Sequence, residues 1–142
     1  MRWPEALLLA LAAPFALGAE PAITGRWASG DAAKPRAVIE IREAGPSAVG
    51  TIVEFYPQPG EDPDPVCEEC PGAARGKRIR GLEIVRLARE PDGRWRGTVL
   101  DPEEGREYRA VAELEENGRR LALRGYVGLP ILGRTEYWTR LR

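Results

Sequence analysis

Histidine is absent from this chain. With it go the commonest general base and the commonest metal-ligating side chain. A serine-hydrolase reading loses its proton acceptor, and no Gly-x-Ser-x-Gly elbow is present to hold a nucleophile. Cysteine is limited to Cys67 and Cys70, half the thiolate set that a tetrahedral zinc site of the all-cysteine type needs. No charge of one sign is in excess: 21 basic residues face 22 acidic ones, a net charge of −1. A balance of that kind creates no long-range field toward nucleic acid or an anionic surface. Apolar runs are also scarce. Only the first segment carries one, and it is too short to cross about 30 Å of hydrocarbon, so no transmembrane span is expected. Together these absences argue against an enzyme, against a resident metal or cofactor, and against a nucleic-acid partner.

The N-terminus combines Arg2, an apolar run from Ala6 to Leu17 and a set of small residues around Ala16-Leu17-Gly18 and Ala19. That order is the pattern of a secretory signal peptide. Residues 1–19 are therefore expected to direct export to a periplasmic or extracellular compartment, leaving residues 20–142 as one domain. A domain of roughly 120 residues can bury about two-thirds of its unfolded surface around one core.

Within that domain the signals are those of short strands. Ile23–Ser29 comes first. Ala37–Glu43 alternates apolar and charged residues, and Val49–Tyr56 is rich in β-branched and aromatic residues. Further strands are expected at Ile79–Ala88, Trp95–Leu100, Tyr108–Leu114, Leu121–Arg124 and Thr135–Arg140. The connections are turn formers: Glu90-Pro91-Asp92-Gly93, Asp101-Pro102-Glu103-Glu104-Gly105, and Glu116-Asn117-Gly118, whose Asn-Gly suits a type I′ hairpin. No helical period and no internal repeat interrupts them. About eight strands joined by tight turns predict an all-β, up-and-down antiparallel barrel. The aromatic-rich last strand is expected to close it against Gly25-Arg26-Trp27.

One stretch breaks the pattern. Residues 57–76, PQPGEDPDPVCEECPGAARG, hold prolines that exclude both a helix interior and a central strand. Cys67-Glu68-Glu69-Cys70 lies within it. A catalytic redox pair would want a helix N-terminus to depress a thiol pKa, whereas Pro71-Gly72 leaves room for one turn, and Glu68 and Glu69 push thiol values upward. A local disulfide formed after export fits better. On the chain-entropy model it contributes about 2 kcal/mol, enough to stiffen the loop. The acidic residues Glu61, Asp62, Asp64, Glu68 and Glu69 lack the spaced pattern of a calcium loop and read as solvated.

Six landmarks run in order along the chain: Gly25-x-Trp27; Cys67-x-x-Cys70; Gly81-Leu82-x-Ile84; Asp101-Pro102-x-x-Gly105-x-x-Tyr108; Arg124-Gly125-Tyr126-x-Gly128; and Gly133-Arg134-Thr135-x-x-Trp138-x-Arg140. In this the sequence resembles a family of small exported bacterial proteins catalogued as a domain of unknown function. The resemblance implies a lipocalin-like, or calycin-like, barrel and no settled activity. Lipocalins proper pair a Gly-x-Trp on the first strand with a late arginine packed across the indole. Gly25, Trp27 and Arg140 could reproduce that pair as a plug for one barrel end.

The barrel interior is the leading candidate for function. Alternation puts Tyr108, Ala110, Ala112 and Leu114 on one face, where small side chains leave space, and eight strands can enclose one small ligand. Trp95, Tyr108, Tyr126 and Trp138 are expected to line that space, with Arg124 or Arg140 reading a carboxylate. The leading reading is a binding module for a small apolar or amphipathic molecule. A filled barrel acting as an envelope interaction protein, docking a homo-oligomeric or other partner through Val127–Gly133 or the 57–76 loop, is the alternative. A thiol–disulfide role for Cys67 and Cys70 is the third.

Overall fold

The computed structural model describes residues 21–142; the segment 1–19 expected to direct export lies outside the described residues. Eight strands, β1 (Gly25–Asp31), β2 (Lys34–Ala44), β3 (Ser47–Phe55), β4 (Glu83–Arg89), β5 (Trp95–Asp101), β6 (Arg106–Glu115), β7 (Arg120–Tyr126) and β8 (Arg134–Arg140), follow one another in sequence order. Each pairs antiparallel with the next, and the sheet closes into a barrel. The closing seam is short, with Trp27 opposite Arg140, Ala28 opposite Thr139 and Ser29 opposite Trp138. Leu141 extends it by donating its backbone N–H to Arg26 O at 2.8 Å. Closure leaves no free edge for another chain to pair with.

Several expected boundaries shift by a few residues, and two differences have a clear cause. The strand expected from Ile79 starts instead at Glu83, because the backbone before it bonds elsewhere. Ile79 N–H donates to Pro65 O at 2.9 Å, Gly81 N–H to Ile52 O at 2.7 Å, and Val66 bridges to Arg78. The β6–β7 hairpin forms where Asn-Gly predicts it, but its loop spans Glu116 to Arg119 rather than two residues. Glu115 pairs with Arg120, and Glu116 and Asn117 both adopt positive φ, 53° and 57°.

In a meander the connections alternate between the two ends of the barrel. The β2–β3, β4–β5 and β6–β7 turns share one end with the start of β1 and the end of β8. That end is filled. Trp27, Ile41, Ala48, Leu87, Ala112 and Leu121 are buried there in one cluster. Packing leaves no slack at Gly50, where a Cβ would lie 3.0 Å from Val85 Cβ and 3.1 Å from Ile39 Cγ2. Large residues stand opposite small ones, as a tapered interior requires: Trp95 faces Ala112 across the ladder. The alanines of β6 therefore do not leave a void.

The plug over this end is built from the segment before β1 and the end of β8. The Arg140 guanidinium lies 4.3 Å from the Trp27 ring centre. It donates to Gly118 O at 2.7 Å, to Thr24 O at 2.8 Å and to Ala22 O. The Trp27 indole N–H in turn donates to Ile23 O at 3.0 Å. Burial holds the Arg140 guanidinium below its ordinary pKa. Gly25 is required twice over. Its φ is +132°, and a Cβ would stand 2.7 Å from the Arg140 NH1 nitrogen. Charge-assisted hydrogen bonds and a cation–π contact of this kind are worth several tenths to a few kcal/mol each. Arg140→Met is accordingly expected to lower unfolding free energy by about 2–4 kcal/mol in urea titration. A loss under about 0.5 kcal/mol, the range of ordinary surface substitutions, would show that the plug does not hold the seam.

Candidate ligand cavity

The opposite end carries the β1–β2, β3–β4, β5–β6 and β7–β8 connections, and there the barrel is hollow. A cavity of about 980 Å³ opens between the strand ends. Its apolar floor comes from alternate positions of several strands: Ile39 of β2, Ile52 of β3, Ile84 of β4, Val99 of β5, Leu123 and Gly125 of β7, and Trp138 of β8. Its rim is polar. Glu61, Asp101, Glu103 and Glu104 stand there with Arg36, Arg106, Arg134 and Glu136. An apolar floor below a rim of mixed charge suits a molecule with an apolar body and a polar end.

Of the aromatic residues expected to line a cavity, Tyr108, Tyr126 and Trp138 do so. Trp95 does not. Register places it at the start of β5, in the filled half, packed against the core with Arg89 5.9 Å from its ring centre. Neither arginine expected to read a carboxylate reaches the cavity. Arg140 is held in the plug. Arg124 alternates with the inward Leu123 and Gly125 and so faces outward, donating to Pro130 O at 2.7 Å, Ile131 O at 3.3 Å and Thr135 Oγ1 at 3.0 Å. Parity along Leu121-Ala122-Leu123-Arg124 already carried that information. Sequence reasoning passed over Ile39, Ile52, Val99, Leu123 and the inward Glu136; the same two-residue period would have found them. The pairing of Arg36 with distant acids had no sequence signal. Trp138 is 2% exposed, and among the described residues its indole nitrogen is the one enclosed side-chain donor without a partner.

The irregular excursion between β3 and β4 is ordered over the mouth. Cys67 and Cys70 form a disulfide and are 1% and 0% exposed. Cys67 Sγ lies 3.5 Å from Pro102 O. A Cβ on Gly105 would fall 2.4 Å from Glu69, so the loop presses directly on the β5–β6 turn. The nearest helical structure is a single 3₁₀ turn, Gly72–Ala74, too short to present an N-terminal field to a thiol. The disulfide acts as a brace. Pro65, Val66 and Ile79 turn toward the cavity and extend its wall.

Arg36 ties the rim together. Its guanidinium lies 4.7 Å from the Phe55 ring centre. It donates to Glu61 Oε2 at 2.6 Å, to Glu103 Oε1 at 2.9 Å and to Tyr56 O at 3.1 Å. One side chain thus links β2, the 57–76 loop and the β5–β6 turn. The acids expected to be solvated are mostly satisfied locally. Asp64 pairs with Arg78 at 3.4 Å, and Asp62 accepts the Asp64 N–H at 2.9 Å. No group of three or more metal-ligating side chains occurs among the described residues. Tyr108 donates its hydroxyl to Glu104, which holds the phenol above its ordinary pKa.

Comparison with known proteins agrees with this architecture. Residues 25–140 match the family model described as "Uncharacterized protein conserved in bacteria (DUF2147)". The chain belongs to that family. Its fold is similar to that of protein HP1028 from the human pathogen Helicobacter pylori, described as belonging to the lipocalin family. That likeness has a TM-score of 0.69 at 16% sequence identity, covering 86% of this chain and 84% of the other. No curated protein matches. The family member described here is thus a closed, lipocalin-like, eight-stranded barrel.

The rim link has a defined pH response. The Arg36 guanidinium, aided by the Gln58 N–H, holds the Glu61 carboxyl below its ordinary pKa. A carboxyl depressed by folding supports the folded loop fully above its unfolded value, about 4.3, and that support is lost as pH falls through the folded value. At neutral pH, Glu61→Gln should reproduce the acid effect. Amide exchange between Gln58 and Glu61 is expected to rise roughly two- to fivefold, the scale of an exposed ion pair, with strand amides unchanged. Unaltered exchange would remove the link.

Proposed function

We propose that this protein is an exported binding module that holds one small apolar or amphipathic molecule in the hollow half of its barrel. The observation that carries the reading is the shape of the interior: packed at the plugged end, open over about 980 Å³ at the other, with an apolar floor and a polar rim. That volume lies at the upper end of small-molecule pockets, about 300–1,000 Å³. An apolar tail would lie against Ile39, Ile52, Leu123 and Trp138. A polar end would stay among Tyr108, Arg106, Arg134 and Glu136 at the mouth. Because acidic and basic side chains share that rim, an uncharged or zwitterionic end suits it better than a strongly anionic one. Export is supported by the N-terminal apolar segment and by the disulfide, which persists in oxidising compartments.

Gly125 supplies the discriminating test. It lines the cavity, and a Cβ added there meets Tyr108 Cβ at 3.5 Å and Val99 Cγ1 at 3.6 Å, ordinary contact distances. Gly125→Leu should therefore fold while filling the floor. Binding of an uncharged dansyl-labelled undecanol is expected to weaken about tenfold or more, since apolar pockets discriminate by that factor per group, with the urea midpoint little changed. Native mass spectrometry of the protein taken from its own envelope is expected to show a co-purifying small mass. A wild-type protein that neither carries such a mass nor binds the probe would overturn the reading.

A further inference from the structure

The corner between β7 and β8, Val127-Gly128-Leu129-Pro130-Ile131-Leu132-Gly133, contains no charged residue. Its side chains face outward: Ile131 is 81% exposed, Leu132 76%, Leu129 64% and Val127 52%. Exposed turns are ordinarily built from glycine, asparagine, aspartate and serine, so an apolar tip this concentrated marks a contact surface. Part of the backbone beneath it is satisfied from within. Leu129 O accepts the Leu132 N–H at 3.0 Å, and Pro130 O accepts the Gly133 N–H at 3.1 Å. Arg124 caps Pro130 O a second time and also caps Ile131 O. Pro130 itself has no N–H to place. The tip has no charged or polar side chain for a protein partner to bond, only aliphatic surface of the kind hydrocarbon matches, with the Arg124 guanidinium bonded at its base.

We propose that this corner seats the open end of the barrel on a lipid surface, with Leu129, Ile131 and Leu132 entering the boundary between headgroups and acyl chains and Arg124 held at headgroup depth. Insertion of apolar side chains from the interface, with a cationic residue kept at the polar level, is how peripheral proteins bind membranes without spanning them. Val127 and Leu132 also line the cavity, so the docked mouth faces the lipid. The docking stands on the corner alone; its use, exchange of a lipid-like molecule between bilayer and cavity, rests on the binding role proposed above. Acidic and basic side chains share the rest of the rim, Glu61, Glu103 and Glu104 with Arg36, Arg106 and Arg134, so it carries no excess of positive charge to favour an anionic surface. Neutral phosphatidylcholine vesicles are therefore the fitting target.

The test uses the full chain labelled at one site with an environment-sensitive nitrobenzoxadiazole dye. Labelled Ile131→Cys is expected to shift to the blue and brighten on neutral vesicles, and to be quenched by lipids brominated in the acyl chain. Labelled Asp92→Cys, at the plugged end, is expected to stay unchanged. Adding Leu129→Asp, at a position outside the cavity lining, to the labelled corner should cut the vesicle-bound fraction roughly tenfold or more, with the dansyl probe still bound in the cavity. The proposal is overturned if the corner label does not respond to vesicles, if both positions respond alike, or if the shift appears without lipid and tracks a dimer in sedimentation. Loss of dansyl binding with the vesicle response retained would refute the cavity reading and leave the docking intact.

Discussion

The barrel depends on one half-buried cation stacked against one buried indole. Arg140 lies at the end of the last strand and Trp27 on the first, and the seam between those strands is short. Backbone pairing alone would leave it the weakest joint in the sheet. The guanidinium adds bonds to Ala22, Thr24 and Gly118, drawing the N-terminal segment, the β6–β7 loop and the C-terminal strand onto one point. Every bonded partner is a carbonyl, so the charge is stabilised by dipoles and by the indole face rather than by a carboxylate. Such a site works only if the backbone can approach closely, which is why Gly25 stands beside it.

From that joint the two halves of the molecule diverge. The plugged half follows the rules of a protein core: close packing, alternating large and small side chains, and a Trp27 indole with its donor satisfied. The hollow half is held open by ties at its rim. Arg36 joins the loop to the β5–β6 turn through Glu61 and Glu103. The disulfide keeps Cys67 and Cys70 buried beneath the same turn, and Arg124 fixes the apolar corner. Each tie acts on a connection rather than on a strand, so the wall of the barrel remains regular while its mouth is shaped.

Much of this architecture was legible in the sequence because it rests on local chemistry. Two-residue alternation marks strands such as Ala37–Glu43, and Asn117-Gly118 marks a hairpin whatever its loop length. Cys67-x-x-Cys70 in a proline-rich loop marks a disulfide. The location of the hollow half was not legible, because it depends on register between strands. Trp95 and Tyr108 look equivalent along the chain, yet Trp95 pairs opposite Ala112 in the packed half while Tyr108 pairs opposite Val99 near the mouth. The link from Arg36 to Glu103 joins elements far apart in the chain and leaves no periodic trace. Ile79 reads as strand by composition and is drawn out of the ladder by a bond to Pro65.

The meander gives this division a lasting consequence. Every odd-numbered connection, from the β1–β2 turn to the β7–β8 corner, emerges at the hollow end, whereas the start of β1, the end of β8 and the even-numbered turns meet at the plugged one. Insertions or altered residues in the odd connections can reshape the open end without shifting a single ladder pair or disturbing Arg140. A scaffold organised in this way lets the shape of its mouth vary while the frame that carries it stays fixed.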